Sequence, residues 1–139
     1  MLRLSGFVTV LTGLLSGETT PTVPVGLWQN QEEGFVIRIE ACGQGRLCGF
    51  AAGAPKDKKQ KGNPEDACGR EMLKEFRWNE KGKRWEGTMQ PPGTSMKMTA
   101  WVTSDGKSFF TMKGKVLLLS KTMNFVPFAG KIGEGCRVL

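Results

Sequence analysis

The chain has 139 residues, 39% of them hydrophobic, and a formal net charge of +7, which suits a single domain that is drawn to anionic surfaces. It contains no histidine, which excludes Ser-His and Cys-His nucleophile pairs and removes the commonest general base and metal ligand. The adjacent carboxylates Glu32-Glu33 and Glu65-Asp66 lie in polar turns where charges are solvated, so we expect no catalysis, no metal and no cofactor.

The N-terminal segment has the pattern of a signal peptide. Arg3 precedes an uncharged, mostly apolar run over residues 4–15 that is too short to span a bilayer. We assign residues 1–17 to this peptide, the Thr/Pro-rich residues 18–24 to a linker, and residues 25–139 to one domain. The sequence therefore predicts a periplasmic or secreted protein with no transmembrane segment. The alternative is an amphipathic N-terminal segment that stays attached.

The first strand pair is a hairpin with a cysteine on each arm. Residues 35–42 and 46–52 alternate apolar and polar side chains around a glycine-rich turn, as half-buried strands do. A register with Cys42 opposite Cys48 gives one wholly apolar face. In that register the apolar pairs are Ala41 with Gly49, Ile39 with Ala51, and Ile37 with Gly53.

The four cysteines predict two disulfides. Three connectivities are possible, and we favour Cys42–Cys48 because opposed strand residues lie close enough for a bridge. Cys68–Cys136 is then the remaining pair and would join a mid-chain loop to the C-terminus. Disulfides are typical of exported proteins. The alternative is four reduced thiols in a cytosolic protein.

A long basic loop follows the hairpin. Residues 53–69 are rich in proline, glycine and charge, which indicates a surface loop. We predict that its lysines, joined by Lys81, Lys83 and Arg84, form a rim that meets anionic groups. The alternative is a solvated loop that keeps the protein soluble. The loop lysines of this anionic rim are Lys56, Lys58, Lys59 and Lys61.

The second half of the chain continues with short strands. After a possible helical turn at residues 70–75, alternating patterns at residues 76–78, 84–89, 96–103 and 109–114 predict strands, with a hairpin turn at Asp105-Gly106. Residues 116–119 form an apolar run, residues 124–135 are expected to be a loop, and residues 136–139 a last strand. Eight or nine short strands predict an all-β fold, a small antiparallel β-barrel of about eight strands, in which closure removes exposed edges.

The order of these features resembles the bacterial domain of unknown function 2147 family, over roughly residues 25–139. Two positions depart from the family: Cys136 stands beside the final arginine where a tryptophan is missing, and Met96 or Met98 replaces a tyrosine. The motifs that carry the resemblance are Gly26-Leu27-Trp28, Ile37-Arg38-Ile39-Glu40-Ala41-Cys42, Arg46-Leu47-Cys48-Gly49, Gly62-Asn63-Pro64 with Arg70, Trp85-Glu86-Gly87, Pro92-Gly93, Asp105-Gly106 and Arg137.

The resemblance implies an exported protein with a small lipocalin-like barrel. In the wider lipocalin pattern, a Gly-x-Trp on the first strand closes one end of the barrel and a C-terminal arginine stacks on the indole ring. Gly26, Trp28 and Arg137 match these three roles.

We expect the barrel interior to bind a small hydrophobic or lipid-like ligand, because several methionines give it an adaptable lining. Gly49, Gly87 and Gly114 either leave room inside or mark bends. The alternative is a filled barrel whose basic surface binds an acidic envelope polymer or protein; nucleic acid is not an expected partner. The predicted interior residues are Ile37, Ile39, Leu47, Phe76, Trp78, Trp85, Met89, Met98, Phe110 and Met112.

Overall fold

The computed structural model of the protein describes residues 21–55, 68–91 and 94–139. Eight antiparallel strands form a closed barrel in which each strand pairs with the next and β8 pairs with β1, so the predicted fold class is confirmed. The predicted signal peptide and the four loop lysines of the predicted rim lie outside the described residues. The strands are β1 (Gly26–Asn30), β2 (Val36–Ala41), β3 (Leu47–Gly53), β4 (Glu71–Asn79), β5 (Arg84–Met89), β6 (Met98–Ser104), β7 (Phe110–Val116) and β8 (Leu119–Pro127).

The strand order gives the barrel two distinct ends. We call the end where β1 begins the bottom; it carries the β2–β3, β4–β5 and β6–β7 turns. The opposite end, the top, carries the other four connections. Lys81, Lys83 and Arg84 therefore lie at the bottom, whereas β3 ends and β4 begins at the top. Because the loop lysines lie outside the described residues, the prediction that they share a rim with these three cations stays a prediction.

The register of the β2–β3 hairpin differs from the predicted one by two residues. Ile39 pairs with Gly49 and Ile37 with Ala51, because the turn is centred on Gln44 rather than Gly45. Gly43, Gln44 and Gly45 all have positive φ, and the Cys42 amide donates to the Arg46 carbonyl. A two-residue shift keeps each side chain on its face, so the two isoleucines remain buried inside, but Ala41 is exposed.

Both predicted disulfides are confirmed. Cys42 and Cys48 lie on a diagonal of the hairpin, with their Cα atoms 5.9 Å apart, because Glu40 is the residue directly opposite Cys48. Cys68–Cys136 holds the C-terminal segment near the start of β4, with a Cα separation of 5.8 Å.

The C-terminal segment packs on the outside of the barrel. Arg137 bridges Ala54 at the end of β3, and a short 3-10 turn (Glu134–Cys136) precedes it. A second apolar cluster joins this segment to the outer face of β1–β3. The cluster comprises Val36, Ala52 and Val138, with Leu27, Phe128 and Ile132 packed against it. This segment covers strands that would otherwise expose apolar side chains on both faces.

Two regions expected to be irregular are strands. Residues 71–75 belong to β4 rather than to a helical turn, and residues 124–127 complete β8 rather than begin a loop. A bulge in β4 interrupts the alternation of inward and outward side chains, so the sequence pattern does not show this strand. Glu75, with φ 49°, and Phe76 together oppose Gly87, between the pairs Lys74–Thr88 and Arg77–Glu86. The bulge turns Phe76 into the core, where it is fully buried.

Large side chains from the neighbouring strand occupy the space beside the inward glycines. A Cβ on Gly87 would lie 2.5 Å from Cδ1 of Phe76, and a Cβ on Gly49 would lie 2.8 Å from Cδ1 of Leu73. A Cβ on Gly114 would lie 2.6 Å from the sulfur of Met98. Neighbouring side chains therefore fill the space beside these glycines. The glycines do not leave the empty space inside the barrel that the sequence analysis considered.

We expect Gly87→Ala to lower the free energy of unfolding by about 1–3 kcal/mol, because the new methyl group collides with a buried aromatic ring. The matched variant Gly114→Ala should cost less, because the thioether end of Met98 can rotate away. Urea unfolding of the two variants measures both effects. A Gly114→Ala loss as large as that of Gly87→Ala would contradict this packing.

Candidate functional site

The predicted interior residues lie in or against one buried cluster. Eight of the ten are buried, and Trp78 and Met98 are partly buried and pack against the others. The cluster also contains residues that the sequence did not single out, because the β4 bulge and the assignment of β8 as a loop concealed them. These include Met72, Leu73, Met123 and Phe125.

The bottom of the barrel is packed with aromatic rings. Trp28 is buried, its ring lies 5.5 Å from that of Phe110, and its indole N–H donates to the Pro24 carbonyl at 3.0 Å. Val23 also packs against the core, so the last residues of the predicted linker contact the barrel. Gly26 begins β1 with φ 139°, an extended conformation that suits glycine.

Arg137 lies on the outer surface of the barrel. Its side chain is exposed and its backbone bridges Ala54, because the C-terminal segment runs over the outside of β1–β3. Among the described residues, guanidinium groups stack on two rings, Arg38 on Phe50 and Arg84 on Trp101. The expected stacking of Arg137 on Trp28 is not one of these contacts.

Local partners neutralise most of the charges of the β4–β5 turn at the bottom. The hydrogen bonds from the Lys83 ammonium and the Trp78 indole lower the pKa of Glu80. The hydrogen bonds from the Asn79 amide and the Arg84 guanidinium lower the pKa of Glu86 in the same way. These cations hold carboxylates of their own turn and are less available to an external anion.

Asp105 caps the β6–β7 turn. Its carboxylate accepts hydrogen bonds from the Ser108 hydroxyl and from the backbone N–H groups of Phe109, Lys107 and Ser108. Because these donors favour the charged form, they hold the pKa of Asp105 far below its ordinary value.

A shallow depression of about 370 Å³ lies on the outer face of β3 and β4. The Cys42–Cys48 disulfide forms part of its wall, and the Arg46 guanidinium contacts the Glu75 carboxylate at 3.2 Å. Glu71 and Lys74 complete the lining. The depression thus presents both signs of charge, with no excess that would select an anion or a cation.

The top of the barrel carries a protruding hairpin with an apolar tip. Leu117 and Leu118 connect β7 to β8, and Leu119 begins β8. These three residues, which we call the leucine tip, are 88%, 96% and 78% exposed. The sequence analysis noted residues 116–119 as an apolar run and assigned them no role. The lysines on each side of the run, Lys115 and Lys121, could have identified it as an exposed turn. The apolar run between them is too short to form two further paired strands.

The hairpin extends beyond the body of the barrel. The first four residues of β8 are exposed, and pairing with β1 begins only at Phe125, which faces Asn30. Lys121 lies 3.8 Å from Glu33 of the β1–β2 turn, and the leucine tip continues past this contact. Lys113 and Lys115 are exposed and join none of the ion pairs between described residues.

Within the described residues, no group of three or more histidine, cysteine, aspartate or glutamate side chains is placed to hold a metal ion. No helix in this part of the chain is long and apolar enough to cross a membrane.

Comparisons of this chain with protein-family models, with curated proteins and with solved structures find no match. The resemblance inferred from the sequence motifs therefore stays a prediction, and the case for a function is made from the site geometry.

The Asp105 cap predicts a specific pH dependence of stability. Because the pKa of this carboxyl is lowered on folding, its contribution is present above the unfolded value of about 4 and is lost as the pH falls through the folded value. Asp105→Asn should therefore destabilise the protein at neutral pH, and the difference from the native chain should shrink below about pH 4.

Thermal unfolding of both proteins between neutral and acid pH measures this difference. Ser108→Ala, which removes the hydroxyl donor, should reduce the same pH-dependent contribution without removing the carboxylate. A difference between Asp105→Asn and the native chain that stays constant across the whole range would refute the capping role.

Proposed function

We propose that this chain is an exported interaction protein, periplasmic or secreted, whose barrel is a filled scaffold and whose basic top binds an anionic component of the cell envelope. The observation that carries the proposal is the occupied interior, where Phe76 and Met98 cover the glycines that could have opened a cavity. With the space beside these glycines filled, the accessible surface is where a partner binds.

The distribution of charge supports the top as the binding end. Two cations of the β4–β5 turn pair with carboxylates of that turn, Lys83 with Glu80 and Arg84 with Glu86, whereas Lys81 joins none of the ion pairs between described residues. Lys113 at the middle of β7 and Lys115 towards its top end project from the outer face, and the described ion pairs do not include them. Unpaired, exposed cations on one end of a basic protein raise the local concentration of anions.

The two disulfides support export. Both link cysteines of the described barrel and its C-terminal segment, and such bonds persist in oxidising compartments. An exported basic protein meets anionic polymers, acidic proteins and acidic lipid headgroups in the envelope, and each offers the negative charge that the top requires.

Charge reversal at the top should abolish anion binding. We expect Lys113→Glu with Lys115→Glu to weaken binding to immobilised dextran sulfate by at least about tenfold, and salt to weaken the native complex steeply. The matched control reverses Lys81 and Lys107, two exposed lysines of bottom turns, with the same change in net charge.

Salt-gradient elution and equilibrium binding measure the effect. The control variant should retain most of the native affinity. Equal losses of affinity in the two variants would show a response to net charge alone. Native protein that does not bind dextran sulfate at low salt would refute the function itself.

A second candidate function is the binding of a hydrophobic or lipid-like ligand inside the barrel. The observation that favours it is the position of Met98, which is only partly buried while its thioether covers Gly114 beside the methyl group of Met89. A methionine side chain rotates easily, so a ligand could displace it and enter from the top.

Methyl NMR of methionine-labelled protein, titrated with lauric acid, distinguishes the two functions. The filled scaffold predicts unchanged Met89 and Met98 methyl signals, with the exposed Met96 as the internal reference. Saturable shifts of Met89 and Met98 that spare Met96 would establish the second function and contradict the filled scaffold.

A further inference from the structure

We propose that the leucine tip inserts into the interface of an anionic lipid bilayer and anchors the protein there. This inference rests on the proposed function and names its partner as a lipid surface. Its starting point is that three consecutive leucines at the tip of the β7–β8 hairpin are each at least 78% exposed. Exposed apolar groups of this kind mark interaction sites or aggregation hazards.

Folding does not account for leucine at these positions. Leu117 has φ 55°, in the left-handed region where glycine or asparagine is the usual residue of a tight connection. Its side chain is 88% exposed, so packing does not compensate for the unfavourable backbone. A polar turn would serve the hairpin better, and the leucines are therefore explained by what they contact outside the chain.

The shape of the hairpin favours a bilayer over a protein partner. The tip ends a two-stranded ribbon that projects past the Lys121–Glu33 contact, and all three of its leucines are at least 78% exposed. A protein surface would cover one face, and three residues bury far less area than a stable protein interface needs. The boundary between headgroups and acyl chains surrounds an inserted tip on all sides.

The charges of the hairpin match this orientation. Lys115 precedes Leu117 by two residues and Lys121 follows Leu119 by two, which places the Cα atoms of both lysines roughly 7 Å behind the tip along the strands. Lys113 lies one step further back. Insertion of the leucines to a depth of about 5–10 Å would bring these lysines to the height of the phosphate groups.

The net charge of this region remains positive. The hairpin from Phe110 to Pro127 contains three lysines and no aspartate or glutamate. Among the described residues, Glu33 of the β1–β2 turn contacts Lys121, and Glu32 beside it is exposed. Lys113 and Lys115 are unopposed by any ion pair between described residues, so anionic headgroups can bind them.

Co-sedimentation with vesicles tests the insertion. Native protein should bind phosphatidylcholine vesicles that contain one quarter phosphatidylglycerol, and should bind pure phosphatidylcholine vesicles more weakly. Leu118→Ser should lower the partition coefficient at least about fivefold, and Ser at all three tip positions should lower it further. The matched control is Val25→Ser, which removes a 61% exposed apolar side chain just before β1, at the bottom, and should bind as the native chain does.

A depth measurement provides a second readout that does not depend on lost binding. The indole introduced by Leu118→Trp should be quenched by lipids brominated on the acyl chains, relative to native protein, whereas that introduced by Val25→Trp should not. Vesicle binding equal to native in the tip variants, or an unquenched indole at position 118, would overturn the insertion.

The outcomes separate this inference from the proposed function. In one outcome, binding to dextran sulfate and to vesicles is lost in the Lys113→Glu, Lys115→Glu variant but retained in Leu118→Ser. That result would overturn the insertion and leave the anion-binding function standing. Native protein that binds neither would overturn both. A lipid-free dimer that dissociates on Leu118→Ser would assign the tip to a second copy of the chain and overturn the lipid proposal.

Discussion

The contact between each inward glycine and a large side chain on the next strand is the constraint on which this barrel depends. Phe76 lies against Gly87, and Met98 against Gly114, on directly paired strands. The missing Cβ lets the neighbouring side chain occupy the interior at close range, so a narrow eight-stranded ring is filled by its own residues. The bulge at Glu75 belongs to the same arrangement, because without it Phe76 would face the solvent.

Because the interior is filled, the surface is left for binding, and the two ends of the barrel differ there. At the bottom, aromatic packing and paired charges serve stability: Trp28 is buried, and Asp105 is bonded to its own turn. At the top, exposed leucines stand beside lysines for which the fold supplies few partners. In our account, the bottom closes the barrel and the top presents the binding surface.

The sequence predicted the features that follow from alternation and from cysteine chemistry. The inward positions of Ile37 and Ile39 could be inferred from the two-residue period, Cys42–Cys48 from the proximity of the two hairpin arms, and Cys68–Cys136 as the pair that remained. The hairpin register could not, since Gly43, Gln44 and Gly45 all take positive φ and the glycine positions alone do not show that the turn is centred on Gln44. The leucine tip was missed for a related reason: hydrophobicity does not distinguish a buried strand from an exposed turn.

The most direct test of this account is a search for empty space inside the barrel with xenon. Xenon enters dry apolar cavities of modest size, so a crystal pressurised with the gas shows where such cavities exist. We expect no xenon within the ring of side chains around Phe76, Gly87 and Met98. Xenon bound there at high occupancy would show that the interior has room for a ligand and would contradict the filled scaffold.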